Sequence, residues 1–274
     1  MFMNVLAEFE KAKSEKRAIG AFNTYDLEIT QAICEAAAEE NYPVLIQTTP
    51  SAVVYAGLKQ IFDIVKNEVA SSKIKAGIHL YHAKDLSVLK DCVDAGYSSV
   101  MIDASKLDYE GNIALTAKAV RYAHESGVYV EGELGVISTE EGGAHADTAV
   151  YTDPQIAVDF VHRTGVDTLA VSVGNEHGAP EGEKSDLELL TKIAEICPVP
   201  LVMHGASGLK RAAIVGAIKA GAVNFNIDTK IRRAFLDEVR EFDKDEKDPR
   251  VVFNSAKEEV KKLVTTYIKL FRGE

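Results

Sequence analysis

Eight short apolar, β-branched runs recur along the chain, and each is followed by a stretch with helical periodicity. They are AIGAFN (18–23), PVLIQTT (43–49), IKAGIHLYH (74–82), SSVMIDA (98–104), VYVEGELG (128–135), TLAVSVG (168–174), PLVMHG (200–205) and VNFNIDT (223–229). Stretches between them, such as LEITQAICEAAAEEN, IALTAKAVRYAHESG and RAAIVGAIKAGA, return an apolar residue every three or four positions, the spacing of one buried helix face. Strand–helix alternation of this kind means parallel strands joined by helical crossovers. Eight units in 274 residues predict an α/β chain folded as a (β/α)8 barrel, a single domain over 1–274 with extra N- and C-terminal helices. A doubly wound open sheet is the alternative, but no G-x-G-x-x-G follows the first run.

Composition narrows the function. A formal net charge of −11 disfavours general binding to nucleic acid or to an anionic membrane. There is no signal-peptide pattern and no apolar run long enough to span a bilayer, which implies a cytoplasmic protein. Cys34, Cys92 and Cys197 are widely spaced, as expected of buried thiols in a reducing compartment rather than of a disulfide frame or a cysteine zinc site.

In a barrel the C-terminal strand ends form the active face. In order, they offer Asn23, Thr49, His82, Asp103, Glu133, His177, His204 with Gly205, and Asn226, Asp228 and Thr229. A lone histidine after an apolar strand is more often a rim or core residue. Three of the chain's seven at such ends suit an open zinc site instead, with Glu133 as a further ligand and Asp103 behind it. In HGASGLKRAAI and NFNIDTKIRRAF, a loop runs into a helix N-terminus after the seventh and eighth runs, where barrels commonly hold phosphate. Ser207 and Asp228 are also good helix caps, so each motif alone serves either purpose; side by side in a barrel, they favour phosphate.

The motifs AFN (21–23), HLYH (79–82), SSVMIDAS (98–105), VEGELG (130–135), LAVSVGNEHG (169–178), LVMHGASG (201–208), NFNIDT (224–229) and DPR (248–250) together resemble the class II, metal-dependent ketose-bisphosphate aldolases, and the resemblance runs essentially the whole length of the chain. It implies a carbon–carbon lyase of carbohydrate metabolism and glycolysis. Such an enzyme cleaves a fructose- or tagatose-bisphosphate-like ketose through a zinc-stabilised dihydroxyacetone-phosphate enediolate. It implies that His82, His177 and His204 bind Zn2+, with Glu133 able to exchange onto the metal. Gly178, Gly205, Ser207, Asn226, Asp228 and Thr229 would hold the dihydroxyacetone-phosphate end. A monovalent cation, Na+ or K+, would lie near the Gly178 and Gly205 backbones. Asn23 and Thr49 would line the pocket, and Glu141, with Glu140 beside it, would protonate carbon from a mobile loop spanning 136–152. Tyr81, Glu141 and Asn226 stand at the catalytic positions. Family analogy also implies a homodimer or homotetramer; the apolar stripe of NSAKEEVKKLVTTYIKLF could bury against a partner or against its own barrel.

The chain departs from the pattern where the aldehyde fragment would sit. The family's His-x-Asp-His carries the base for the C4 hydroxyl; here Tyr81 stands in place of that Asp. Ala104, Lys106, Ser138, Thr139, Asn175, Glu176 and Pro180 also differ from the pattern. Three readings follow. Tyr81 is an acid/base of lowered pKa; or it reshapes the pocket while Glu141, Glu176 or Asp26 takes the proton; or the chain binds a sugar phosphate without cleaving it. Tyr81 facing outward under a helix is the bland alternative, because plain strand alternation puts Tyr81 and His82 on opposite faces.

Overall fold

The structure is a computed structural model that describes residues 2–139, 149–177 and 185–274, with the backbone only for Ser138, Thr139 and His177. Eight parallel strands close into a barrel. They are β1 (Ile19–Asn23), β2 (Val44–Thr48), β3 (Ala76–Ala83), β4 (Ser99–Ile102), β5 (Tyr129–Leu134), β7 (Thr168–Val171), β9 (Leu201–Met203) and β10 (Ala222–Ile227). The closed order is β1-β10-β9-β7-β5-β4-β3-β2, so chain neighbours are barrel neighbours and β10 seals against β1. Two further two-residue strands, β6 (Ser138–Thr139) and β8 (Glu176–His177), pair with each other above the barrel strands that precede them. This is the expected (β/α)8 architecture, with each of the eight runs supplying one barrel strand.

The helices follow from local chemistry. In α2 (Leu27–Glu39), Ile29, Ala32, Ile33, Ala36 and Ala37 are buried on one face, and the Asp26 carboxylate accepts from Ile29 N–H at the N-cap. That is the i, i+3, i+4, i+7 pattern with a preferred cap residue. Gly96, Gly165 and Gly221 close their helices in the left-handed conformation, a backbone that Gly adopts without steric cost. The long C-terminal α11 (Pro249–Arg272) buries Val260, Val264, Tyr267, Ile268 and Phe271. It packs on α2 and α10 (Thr229–Glu241) of its own chain, so that stripe is used at home.

Helix α1 (Val5–Ser14) plugs the N-terminal end of the barrel. Val5, Phe9 and Ala12 form a separate apolar cluster with Ile19, Ala21, Leu45 and Val223 from the barrel strands. Met3 N–H also donates to the Ala76 carbonyl at 2.8 Å. The floor cluster is therefore apolar, and the titratable side chains inside the barrel stand above it. Phe9 is 1% exposed, so Phe9→Ala is expected to destabilise the protein by about 3–5 kcal/mol through a floor cavity. The check is a lowered urea midpoint at unchanged m.

Candidate active site

Alternation along β3 turns His79 and Tyr81 into the barrel, while Ile78 and Leu80 join the core beneath the outer helices. His79 Nδ1 lies 2.8 Å from Ser99 Oγ, and burial pushes its pKa down to about 4, keeping the ring neutral. Between Leu80 and Ala83 the pairing with β4 slips, and His82 takes a left-handed φ of 54°. That irregularity breaks the alternation. It swings His82 to the same side as Tyr81, so the strand end presents both residues to the mouth. Tyr81 is 4% exposed. Its ring centroid lies 4.0 Å from that of His82 and 5.0 Å, edge-on, from that of His204. The outward orientation is therefore excluded.

Around these rings stand four acids. Asp103 Oδ2 accepts from His82 Nδ1 at 2.9 Å, and Ser105 donates to the other Asp103 oxygen. Glu131 and Glu133, two residues apart on β5, both point inward. Glu131 Oε1 is 2.8 Å from His204 Nε2, and Glu133 Oε2 is 3.2 Å from His204 Nδ1 and 3.9 Å from His82 Nδ1. The fourth acid, Asp228, follows β10. Burial works against charge on Asp103 and Glu131, but the imidazoles outweigh it and hold both carboxyls below their usual range. Burial likewise opposes charge on His204, but Glu131 and Glu133 overcome it and raise the imidazole to about 9. Tyr81 moves the other way from a reactive phenolate: burial, then Glu133, Glu131, Asp228 and Asp103, push it well above its ordinary value.

Ligand atoms of His82, Glu133 and His204 lie within 4.8 Å of one another. Each imidazole has a carboxylate bracing one nitrogen, Asp103 on His82 and Glu131 on His204, which orients the ring and sets its tautomer. Glu133 Oε2 is buried with no hydrogen bond of its own among the described residues. Two imidazoles and an unsatisfied buried carboxylate, converging on one point with braced rings, suit a zinc ion. His177 contributes its backbone to β8 beside Thr139, but its side chain lies outside the described residues. Gly178, Glu140 and Glu141 lie outside them too, and with them most of the 136–152 loop.

The other half of the mouth is built by β1, β2, β9 and β10. Asn23, Gln47 and Asn226 form a buried row. The Gln47 amide donates to Asn23 Oδ1, and Asn226 Nδ2 donates to Gln47 Oε1 at 3.1 Å. Asn226 Oδ1 and Ser207 Oγ are buried without a hydrogen-bond partner among the described residues. Ser207 sits in the single 3-10 turn Ala206–Gly208, which packs on β10 ahead of α9 (Arg211–Ala220). It does not cap that helix; Lys210 holds the cap position. Gly205 has φ of 71°, and a Cβ there would stand 2.1 Å from the Glu176 carbonyl oxygen. Only glycine fits where β8 crosses this turn. Thr49 caps α3 (Pro50–Ala56), accepting from Ala52 N–H and lying 2.9 Å from Ser51 Oγ. Thr229 is the first residue of α10.

Gln47, Glu131 and Tyr25 are members of the mouth that the strand-end reading omits. Gln47 and Glu131 carried a signal, since each lies two residues along a strand from another inward residue. Tyr25 carried none. It follows β1 in a loop, and its hydroxyl donates to Asp228 Oδ1.

In the metal-free protein His204 keeps its proton up to about pH 9. Its folded pKa exceeds the unfolded value of about 6.5, so the associated stability is present below about pH 6.5 and is lost as pH rises through about 9. Metal-stripped protein is expected to show a lower urea midpoint at pH 9.5 than at pH 7, and His204→Asn to lose most of that difference.

The model of the family described as fructose-bisphosphate aldolase class-II matches residues 3–274. A fructose-bisphosphate aldolase of Staphylococcus epidermidis is 38% identical over 267 residues, covering 95% of this chain and 93% of the relative. One from Geobacillus stearothermophilus is 37% identical over 256 residues, 91% of this chain and 89% of the relative. The crystal structure of the YdjI aldolase from Escherichia coli K12 superposes with a TM-score of 0.88 at 30% identity, over 99% of this chain and 97% of that one. With the same barrel, the braced His/Glu cluster at its mouth and a match along nearly its whole length, the chain belongs to the class-II fructose-bisphosphate aldolases, metal-dependent lyases of carbon–carbon bonds.

Proposed function

We propose that the protein cleaves a phosphorylated ketose between C3 and C4, with zinc held by His82, Glu133, His204 and His177 and the substrate's phosphate held where β9 and β10 end. The observation that carries this is the juxtaposition of two polar sets in one barrel mouth. The His82–Glu133–His204 cluster stands on one side, and the orphaned Ser207 and Asn226 oxygens stand on the other. A bound zinc ion supplies Lewis acidity toward the ketose carbonyl and its neighbouring hydroxyl. Asp103 and Glu131 keep the two imidazoles aimed. Ser207, Asn226 and the first-turn N–H groups of α10 bind the phosphate dianion, which suits a helix N-terminus. Gly178, Thr229 and the backbone of Asp228 complete that end, Asn23 and Thr49 line the pocket, and Glu141 protonates carbon. Na+ or K+ near Gly178 and Gly205 belongs to the same reading. So do a cytoplasmic location and a homodimer or homotetramer; among the described residues, no helix is long and apolar enough to cross a membrane.

Tyr81 decides the substrate side. As a neutral phenol it donates a hydrogen bond to the oxygen on C4, and that hydroxyl's proton passes instead to a carboxylate among Glu141, Glu176 and Asp26. The enzyme is therefore slow on fructose bisphosphate, and its preferred ketose phosphate is one whose C4 oxygen gains from a neutral donor. Losing general-base help typically costs about 10²–10⁴-fold in rate. Release of dihydroxyacetone phosphate from a panel of ketose 1-phosphates and bisphosphates is the measurement. Tyr81→Asp is expected to raise cleavage of fructose or tagatose bisphosphate. Fast wild-type cleavage near neutral pH, unchanged in Tyr81→Phe, would remove Tyr81 from the chemistry. Product from no member of the panel would leave a sugar-phosphate binder in place of an aldolase.

Zinc content of protein purified without chelator is expected at about one ion per chain, and to fall in His204→Ala. Equal content in both proteins would sink the ligand assignment.

A further inference from the structure

Asp228 breaks a rule that the rest of the chain keeps. Eight other described helices have Asn, Asp or Thr at the N-cap, and in every one that side chain accepts from a first-turn N–H. Asp is among the strongest N-cap residues. Yet Asp228, at the N-cap of α10, makes no such bond. Its carboxylate is turned aside and held at both oxygens. The Tyr25 hydroxyl donates to Oδ1, and Arg232 Nη2 lies 3.2 Å from Oδ2. Arg232 is half exposed, so that ion pair is a weak tether. Tyr25 is anchored against the main core, and its hydroxyl is the firmer hold.

The first-turn amides of α10 are consequently left without a side-chain cap. They follow directly on β10, whose Asn226 Oδ1, like Ser207 Oγ in the turn packed on β10, is buried without a partner among the described residues; Asn226 is 4% and Ser207 8% exposed. Unsatisfied buried oxygens beside an uncapped helix end call for a ligand that offers both negative charge and hydrogen-bonding capacity. A capping carboxylate at Asp228 would fill the same amides and put a like charge in the ligand's seat.

We propose that Tyr25 is a positioning residue of the phosphate cradle: its hydroxyl holds the Asp228 carboxylate away from the N-terminus of α10, and so keeps the first-turn amides open for a phosphate monoester. This rests on the sugar-phosphate reading above and adds to it a residue from outside the strand ends.

The test is calorimetric titration of the zinc-loaded, full-length protein with dihydroxyacetone phosphate. Wild type, Tyr25→Phe, Asp228→Ala and the double variant are compared. Tyr25→Phe frees the carboxylate to cap α10 and is expected to bind about tenfold more weakly. The double variant has no carboxylate to release and is expected to return to the affinity of Asp228→Ala. Undiminished binding by Tyr25→Phe overturns the proposal and leaves the phosphate site standing. Loss in Tyr25→Phe that the double variant does not recover also overturns it, because Tyr25 is then only a prop for the loop. No binding by wild type overturns the sugar-phosphate reading itself and this inference with it.

Discussion

Two glutamates inside a barrel are the constraint on which the site depends. Glu131 and Glu133 are 4% and 2% exposed, and buried carboxylates are costly unless positive charge and hydrogen bonds answer them. Two imidazoles do so here, and the arrangement is mutual. His204 lies between the two glutamates, with Glu131 on one nitrogen and Glu133 on the other, while His82 is fixed by Asp103. Each ring is aimed by the acid that it neutralises. Glu133 is the member left over, with an oxygen near both rings and no hydrogen bond of its own.

That polar stack is tolerable because the barrel separates its tasks by height. The floor is apolar and closed by α1, and the ring of β-branched and aromatic residues outside the strands packs against the helices. Asn224, level with Ile19, spends its amide on the Ile19 carbonyl, and higher up His79 with Ser99 forms a neutral step beneath the charged stack. Charge is thus absent where stability is built and concentrated where a substrate enters, the division expected of parallel barrels.

The architecture was readable because both of its periodicities were strong. Eight strand-like runs alternated with helices such as α2, whose apolar positions fell on one face. Inward residues two apart, such as Glu131 with Glu133, were implicit in alternation. What alternation could not carry was its own failure at His82, where a slipped register and a left-handed backbone bring adjacent residues to one side. Nor could local propensity say that Asp228 is not a cap, because the hydroxyl that diverts it comes from a loop more than two hundred residues earlier. Thr49 shows the converse: it caps α3, a role that Pro50 at the first helical position announces locally. Long-range contacts and irregular backbone define the site's finer features, and neither leaves a periodic trace.

The plugged floor has a consequence for the order in which the molecule is assembled. Helix α1 precedes every barrel strand in the sequence, yet its seat is shared by β1, β2 and β10, with Val223 among the residues that Phe9's cluster touches. Until residues 222–227 have emerged and closed on β1, that seat is incomplete. Sealing the floor thus joins segments some two hundred residues apart, a long-range closing event of the kind that slows folding.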